Sequence, residues 1–372
     1  MMSRGTLFSG IERGRLRGER RSTGGRTCLV ALAGAGLLVG LAAPPAVAAR
    51  PESGWVNSGG GARSDFAPAV LNYGGIEYTV VTGLDNRIWV SYNGNPFRQI
   101  PTGHDTREQP AVAVIGGRIA VFHTGTDGAV YYTLLQNLEN NGWSGWTRVP
   151  GTAVTSGPPS VAVVNGNIAA ITVVTREGRV AVQRMEIQPG GTSYRSNYAE
   201  LMNFQLPPEL PAGNNGVIAW TWNTAIGNRE MYMNVAAVGL DRQVWTGAFN
   251  LNNPGESVSP APLPGGGVCN SSVAAARGGP SDRVAAPGDS DYHSMNHQAV
   301  ACLGTDGNVW TNQTSNGGSN WEGWNRTTDG AGPSQRRPSL TGAGNTLELG
   351  ISWNAGANPR FPDDAIVEKS LF

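Results

Sequence analysis

The sequence predicts an all-β chain folded as a six-bladed β-propeller of four-stranded antiparallel blades, the ring closed by an N-terminal strand. Three observations predict it. A seven-residue motif recurs at blade-sized intervals. The apolar segments between its copies are short, β-branched and bounded by Gly, Asn, Asp and Pro. The last repeat stops one strand short of the others.

The motif is Gly-x-Asp-x-x-(Val/Ile)-aromatic. It appears as Gly83-Leu84-Asp85-Asn86-Arg87-Ile88-Trp89, as Gly125-Thr126-Asp127-Gly128-Ala129-Val130-Tyr131, as Gly239-Leu240-Asp241-Arg242-Gln243-Val244-Trp245 and as Gly304-Thr305-Asp306-Gly307-Asn308-Val309-Trp310. Thr175-Arg176-Glu177-Gly178-Arg179-Val180-Ala181 and Asp363-Asp364-Ala365-Ile366-Val367 are degenerate copies. The acidic positions 85, 127, 177, 241, 306 and 363 are 42, 50, 64, 65 and 57 residues apart, which makes six units of blade size. Repetition at such a period signals a propeller or another repeat architecture. Reading five or seven blades is the alternative, because the loops of units three and four are long.

Each copy reads as a β-hairpin. Asp-Gly or Asp-Asn accommodates the positive φ of a tight turn, and strand formers flank it. An alternating segment such as Arg118-Ile119-Ala120-Val121-Phe122-His123 precedes the turn, and a further segment preceded by Pro, such as Pro110-Ala111-Val112-Ala113-Val114, comes before that. After the motif come a third strand and then Trp143-Ser144-Gly145-Trp146 or Trp321-Glu322-Gly323-Trp324. Four strands per unit is the pattern of a propeller blade. The sixth unit lacks its fourth strand, and Ser53-Gly54-Trp55-Val56 matches Ser144-Gly145-Trp146-Thr147. Residues near 52–60 are therefore expected to complete the last blade and leave no open edge there. Residues 186–200, 250–267 and 278–296 are the largest insertions, and loops on a rigid scaffold carry function.

Residues 1–48 read as an export signal and 49–372 as a single propeller domain. Seven Arg and two Glu fall within residues 1–27, the apolar run Leu29–Ala43 follows, and Ala46-Val47-Ala48 forms the cleavage pattern. The run is shorter than the roughly 20 residues that span a bilayer. The whole chain carries 27 basic and 27 acidic residues; loss of the signal leaves 20 against 25, a net charge of about −5. A mildly acidic surface without basic runs excludes nucleic acid and anionic membrane as expected partners. A secreted, extracellular protein with no membrane insertion is expected. Cys28 leaves with the signal, and the even pair that remains, Cys269 and Cys302, is expected to form a disulfide in an oxidising compartment.

Asp-Gly-x-Val-Trp and Trp-x-Gly-Trp, repeated in an exported chain, resemble the PLL-like fucose-binding lectins of bacteria and, more loosely, tachylectin-like propellers. The resemblance covers nearly the whole chain after the signal and is closest in units two and five. It implies multivalent carbohydrate binding without catalysis, in shallow aromatic-lined pockets between blades, with glycans of cell surfaces or polysaccharides as partners. The positions matching the aromatic motif are Trp89, Tyr131, Trp146, Trp245, Trp310 and Trp324. A flat ring packs against the apolar C–H face of a sugar while a few polar groups hold its hydroxyls. Arg148 and Arg326 follow Trp146 and Trp324 by two residues, hence on the same strand face, and complete the set. The opposing reading makes each Trp a packing residue between sheets and each motif Asp a turn former.

Other chemistries find less support. Sialidase propellers carry Ser-x-Asp-x-Gly-x-x-Trp boxes, whereas Asp306 and Gly307 are adjacent here. A hydrolase with paired central-channel carboxylates, and a protein-binding scaffold without a sugar site, remain the alternatives; the sequence selects no catalytic residue. His293 and His297 lack the Glu of a zinc-protease motif, and Asp289 with Asp291 completes no calcium loop. No metal or cofactor is expected: there is no phosphate loop, dinucleotide fingerprint or Gly-x-Ser-x-Gly elbow. The sequence does not fix the oligomeric state.

Overall fold

The computed structural model describes residues 56–57, 63–101, 103–151, 155, 157–177, 179–188, 191–194, 199–205, 218–222, 232–239, 241–250, 261–271, 273–278, 297–314, 321–327, 337–343, 346–352 and 366–370. All of them belong to the unit Ala49–Phe372. The signal at 1–48, Trp55, Asp289, Asp291, His293 and the acidic pair Asp363-Asp364 lie outside the described residues.

Every described element of regular structure is a strand, and the pairing is antiparallel throughout. The N-terminal strand is β1 (Val56–Asn57). The first sheet follows the order β2 (Ala69–Tyr73), β3 (Ile76–Thr82), β4 (Ile88–Tyr92), β5 (Arg98–Gln99). The second runs β6 (Ala111–Ile115), β7 (Arg118–Thr124), β8 (Val130–Asn137), with β9 (Gly142–Trp143) and β10 (Thr147–Arg148) both on β8. The third runs β11 (Ser160–Asn165), β12 (Ile168–Val174), β13 (Arg179–Gln188), with β14 (Gly191–Tyr194) and β15 (Ala199–Gln205) both on β13. The fourth is β16 (Ile218–Trp222), β17 (Tyr232–Val238), β18 (Val244–Asn250), β19 (Ala261–Pro262). The fifth is β20 (Ala274–Gly278), β21 (His297–Leu303), β22 (Val309–Thr314), β23 (Trp324–Arg326).

These five sheets are each continuous in the chain. A further sheet is composite: β24 (Ser339–Ala343), β25 (Thr346–Ser352) and β26 (Ile366–Ser370) are completed by β1, with Val56 opposite Glu368 and Asn57 opposite Val367. The expected fourth strand is thus supplied by the N-terminal segment. The first strand of each sheet packs beside that of the next, from β2 through β6, β11, β16, β20 and β24 and back to β2. Sheets arranged radially in this way, each entered at its innermost strand, form a β-propeller.

Side-chain alternation explains the packing. Successive residues of a strand point to opposite faces, so each sheet carries two apolar faces. Ala120, Phe122, Tyr132 and Leu134 of the second sheet meet Ala169, Ile171, Val173 and Ala181 of the third. Ile119 and Val121, of opposite parity, meet Val80, Ile88 and Val90 of the first. Ala236, Val238 and Val244 meet Ala275, Val300 and Cys302 across the fourth and fifth. Large buried side chains sit at these seams, with Phe122, Ile88 and Ile171 almost wholly enclosed.

The linkers between sheets are pinned in a repeated way. The chain leaves the ladder with Ile100, Val149 and Leu263 donating their N–H to Ile88, Val130 and Val244, at 2.9, 2.8 and 2.7 Å. It returns with Thr106, Thr155 and Cys269 donating to Asn86, Gly128 and Arg242, at 2.9, 2.9 and 2.8 Å. Buried hydroxyls sew linker to sheet: Ser64 donates to the Thr82 carbonyl at 2.6 Å, Thr82 to Glu108 at 2.7 Å, Thr106 to Thr124 at 2.6 Å and Thr124 to Gly157 at 2.9 Å. Arg337, buried just before β24, donates from Nε to the Gln109 side chain, and so ties the residues before β24 to those before β6. Burial lowers the Arg337 pKa to about 10, against the opposing pull of Glu108.

Candidate functional site

The motif builds one corner four times over. In each complete copy the Asp Oδ1 accepts the backbone N–H two residues on, from Arg87, Ala129, Gln243 and Asn308, at 2.9–3.0 Å. The same carboxylate accepts from the aromatic ring four residues on. Trp89 Nε1 lies 3.1 Å from Asp85, the Tyr131 hydroxyl 2.9 Å from Asp127, Trp245 Nε1 2.9 Å from Asp241 and Trp310 Nε1 3.1 Å from Asp306. The ring lies over the motif glycine: a Cβ on Gly239 would stand 2.4 Å from Trp245 Nε1, and Gly83, Gly125 and Gly304 are comparably tight. Gly, Asp and aromatic are therefore one device. The turn-forming reading of the Asp is thus correct but incomplete, because the sequence reading did not foresee the bond to the ring. Burial pushes the Asp127 carboxyl up, but the Ala129 N–H, the Tyr131 hydroxyl and Arg148 outweigh it and hold the pKa below its ordinary value.

The cross-strand partner of each corner ring separates the blades. Trp89 faces Gln99 and Trp245 faces Pro262, whereas Tyr131 faces Arg148 and Trp310 faces Arg326. A guanidinium thus stands opposite the corner ring in the second and fifth sheets, and both arginines are exposed. The cross-strand partners of Trp89 and Trp245 are thus not arginines.

In the fifth sheet the arrangement is packed shut. Trp324 lies on the linker from the fourth sheet, where a Cβ on Gly267 would stand 2.5 Å from its Nε1. Trp321 and Trp324 pack on the core shared by the fourth and fifth sheets. Opposite Trp310 in the ladder, Cys302 is joined to Cys269 of that linker with Cα atoms 5.8 Å apart, the pairing expected of these two cysteines. Arg326 turns its Nη2 to Asn308 Oδ1 at 2.9 Å.

In the second sheet the same frame holds a different filling. His123 lies opposite Tyr131 in the ladder and is fully buried. His104 comes from the linker that precedes the sheet, two residues before Thr106. The His104 ring lies 4.4 Å from Tyr131, centroid to centroid, and 6.4 Å from Trp146. His123 stacks on Tyr131 at 5.7 Å, meets Trp146 edge-on at 4.4 Å and stands 6.0 Å from His104. Four rings from a linker, two strands and the Trp-x-Gly-Trp segment thus form one cluster facing the first sheet. Arg148 is at its rim, and the Arg87–Asp105 ion pair of 2.8 Å lies beside it.

Among the described residues neither nitrogen of His123 has a hydrogen-bond partner of ordinary geometry. Desolvation lowers its pKa to about 4, although the Thr124 main chain and Asp127 favour the charged form and His104 opposes it. The ring is therefore neutral at physiological pH, with one donor and one acceptor unused. His104 and His123 were not among the residues singled out from the sequence. The signal for His123 was present: four residues before the motif acid stand Val81, His123, Val173, Ala237 and Cys302. Among the described residues no three side chains of metal-ligating type gather at one place.

No protein-family model matches the chain, and no curated protein matches it. Solved structures do. A triple mutant of AofleA from Arthrobotrys oligospora aligns at a TM-score of 0.53 and 10% identity, over 85% of this chain and 89% of that one. The likeness is one of fold. The SapL1 lectin, solved with α-methyl fucoside, aligns at 0.52 and 12% identity, over 83% and 93% of the two chains. A protein of unknown function from Dyadobacter fermentans aligns at 0.52 and 9%, over 86% and 98%.

Proposed function

We propose that this chain is an exported, non-catalytic carbohydrate-binding propeller, its six sheets acting as six blades, and that its principal site is the ring cluster between the first and second sheets. One observation carries the reading: Tyr131, Trp146, His104 and His123 converge with Arg148 at a single seam. Flat rings for a sugar's apolar face, an exposed guanidinium and an imidazole with unused hydrogen-bonding capacity are the groups that sugar recognition needs. The likeness in fold to the SapL1 lectin supports the reading at the level of architecture. Export through residues 1–48 and binding of fucosylated or related glycans belong to the same proposal. Where several copies of the protein gather on one surface, avidity strengthens weak single sites.

The test is a glycan-array screen of the chain from residue 49 onward at moderate salt, beside its Trp146→Ala variant. Selective binding to one sugar class, reduced at least tenfold in a variant that keeps its wild-type melting profile, is the expected result. Absence of binding to any glycan at high protein concentration overturns the reading.

A further inference from the structure

The site between the first and second sheets contains a residue that the fold does not ask for. At the position opposite the last residue of the motif, Val81, Val173 and Ala237 serve three other repeats, two of which carry a corner ring there, so an aliphatic side chain satisfies the packing. His123 is fully buried there, and among the described residues neither ring nitrogen has a hydrogen-bond partner of ordinary geometry. A buried polar group left unsatisfied costs stability, and native structures keep few of them without a reason. Three rings of the proposed sugar site meet it, those of His104, Tyr131 and Trp146.

His104 is equally particular. The equivalent linker position before the fifth sheet is Gly267, fixed by the matching bonds of Thr106 and Cys269 to the preceding sheet. A glycine therefore suits this point of the linker. His104 instead sets an imidazole against Tyr131 at 4.4 Å, tilted by 45°, in the space that a ligand stacking on that ring would need. It sits on the linker, next to the positive-φ Gly103.

We propose that His123 is the polar recognition group of this site, its ring nitrogens taking adjacent hydroxyls of a neutral terminal sugar, and that His104 is an internal occupant that the sugar displaces from Tyr131 and Trp146. A neutral imidazole offers one donor and one acceptor, which matches a vicinal diol and gives no preference for an acidic sugar. Arg148 at the rim supplies further donors. With His104 withdrawn, His123 stands behind the rings of Tyr131 and Trp146. This inference rests on the sugar-binding reading and deepens it.

The experiment compares four full-length proteins on one array of fucosides, galactosides, mannosides and sialosides: wild type, His104→Gly, His123→Val and His123→Asn. The expected result is binding to one neutral class, raised about tenfold by His104→Gly. His123→Val is expected to lower it at least tenfold, while melting no lower than wild type. His123→Asn, which keeps a donor and an acceptor, should recover part of the loss. Equal binding by wild type and His123→Val overturns the role of His123 and leaves the sugar-binding reading standing. So does a His123→Val protein that fails to fold, because the packing would then require the imidazole. A His104→Gly variant that binds no better than wild type overturns the displaced-occupant role. Binding confined to sialosides overturns the neutral sugar class. No binding by any of the four proteins overturns this inference together with the reading beneath it.

Discussion

Two seams of the ring are built on one backbone frame and filled in opposite ways. Between the fourth and fifth sheets, Gly267 lets Trp324 lie flat on the linker, and the Cys269–Cys302 bridge locks linker to strand. Between the first and second sheets the same positions carry His104 for Gly267, Thr106 for Cys269, His123 for Cys302 and Trp146 for Trp324. One seam is apolar and covalently closed. The other keeps two imidazoles, one of them buried without a hydrogen-bond partner of ordinary geometry among the described residues. On the proposed reading the difference is one between a scaffold seam and a binding seam. One repeat fills this corner with glycine, sulfur and indole, whereas the proposed sugar site accounts for the buried imidazole of the other.

The largest effect that breaks the comparison is loss of the lock. A Cys269→Ser/Cys302→Ser double variant frees a loop closed across 33 residues of sequence. In the chain-entropy model that costs about 3–4 kcal/mol. Urea unfolding at pH 7 is expected to show a loss of that order, and an unchanged midpoint would mean that Trp324 alone closes the seam.

Next comes acid. Because burial lowers the His123 pKa from 6.5 to about 4, the unfolded chain takes up this proton before the folded one does. Stability contributed by keeping His123 neutral is complete above pH 6.5 and is lost as the pH falls through 4, on the order of 3 kcal/mol at most. The expected observation is a decline in unfolding free energy between pH 6.5 and 4 that His123→Val flattens. An identical pH profile in the variant would show that the imidazole does not stay neutral in the seam. Asp127 and Asp306, held below their ordinary value of 3.8, titrate under this window and leave it clear.

A smaller effect tests the other seam. Gly267→Ala places a methyl 2.5–2.6 Å from the Trp324 ring, which must then leave its bed. Overpacking of this kind costs about 1–3 kcal/mol. The opposite exchange, His104→Gly, removes a partly exposed ring and is expected to cost under about 1 kcal/mol. Thermal melts of the two variants side by side check the asymmetry, and equal losses would refute the claim that only one seam is packed shut.

Much of this was legible in the residues. The turn motif marked each corner because its Gly, Asp and aromatic answer to one local geometry. The final unit ended after three strands, and β1 does pair with β26. The two cysteines paired as their number and the export signal suggested. What stayed hidden was contact between distant parts of the chain. Trp324 lies on Gly267, and His104 on Tyr131, across gaps that no periodicity reports. The degenerate third repeat shows the rule from the other side. It carries Thr175 where the others have glycine, and Ala181 where they have an aromatic ring. A side chain at the first position excludes the ring at the seventh, so the two change together. The sixth copy follows the same pattern in sequence, with Phe361 and Val367.

The smallest effect sharpens the comparison most, because it separates folding from binding. Asp127→Ala and Asp306→Ala each remove an acceptor for one backbone N–H and one ring donor, at 2.9–3.1 Å. The corners are exposed and water replaces the lost bonds, so each change is expected to cost only about 1 kcal/mol. If the two corners differ in function alone, the stability losses are equal and the binding losses are not. Asp127→Ala frees Tyr131, the ring on which the sugar is proposed to stack, and is expected to weaken glycan binding several-fold. Asp306→Ala frees Trp310 in the closed seam and should leave binding unchanged. Equal binding losses in the two variants would place sugar recognition at both seams and return the ring to a multivalent design.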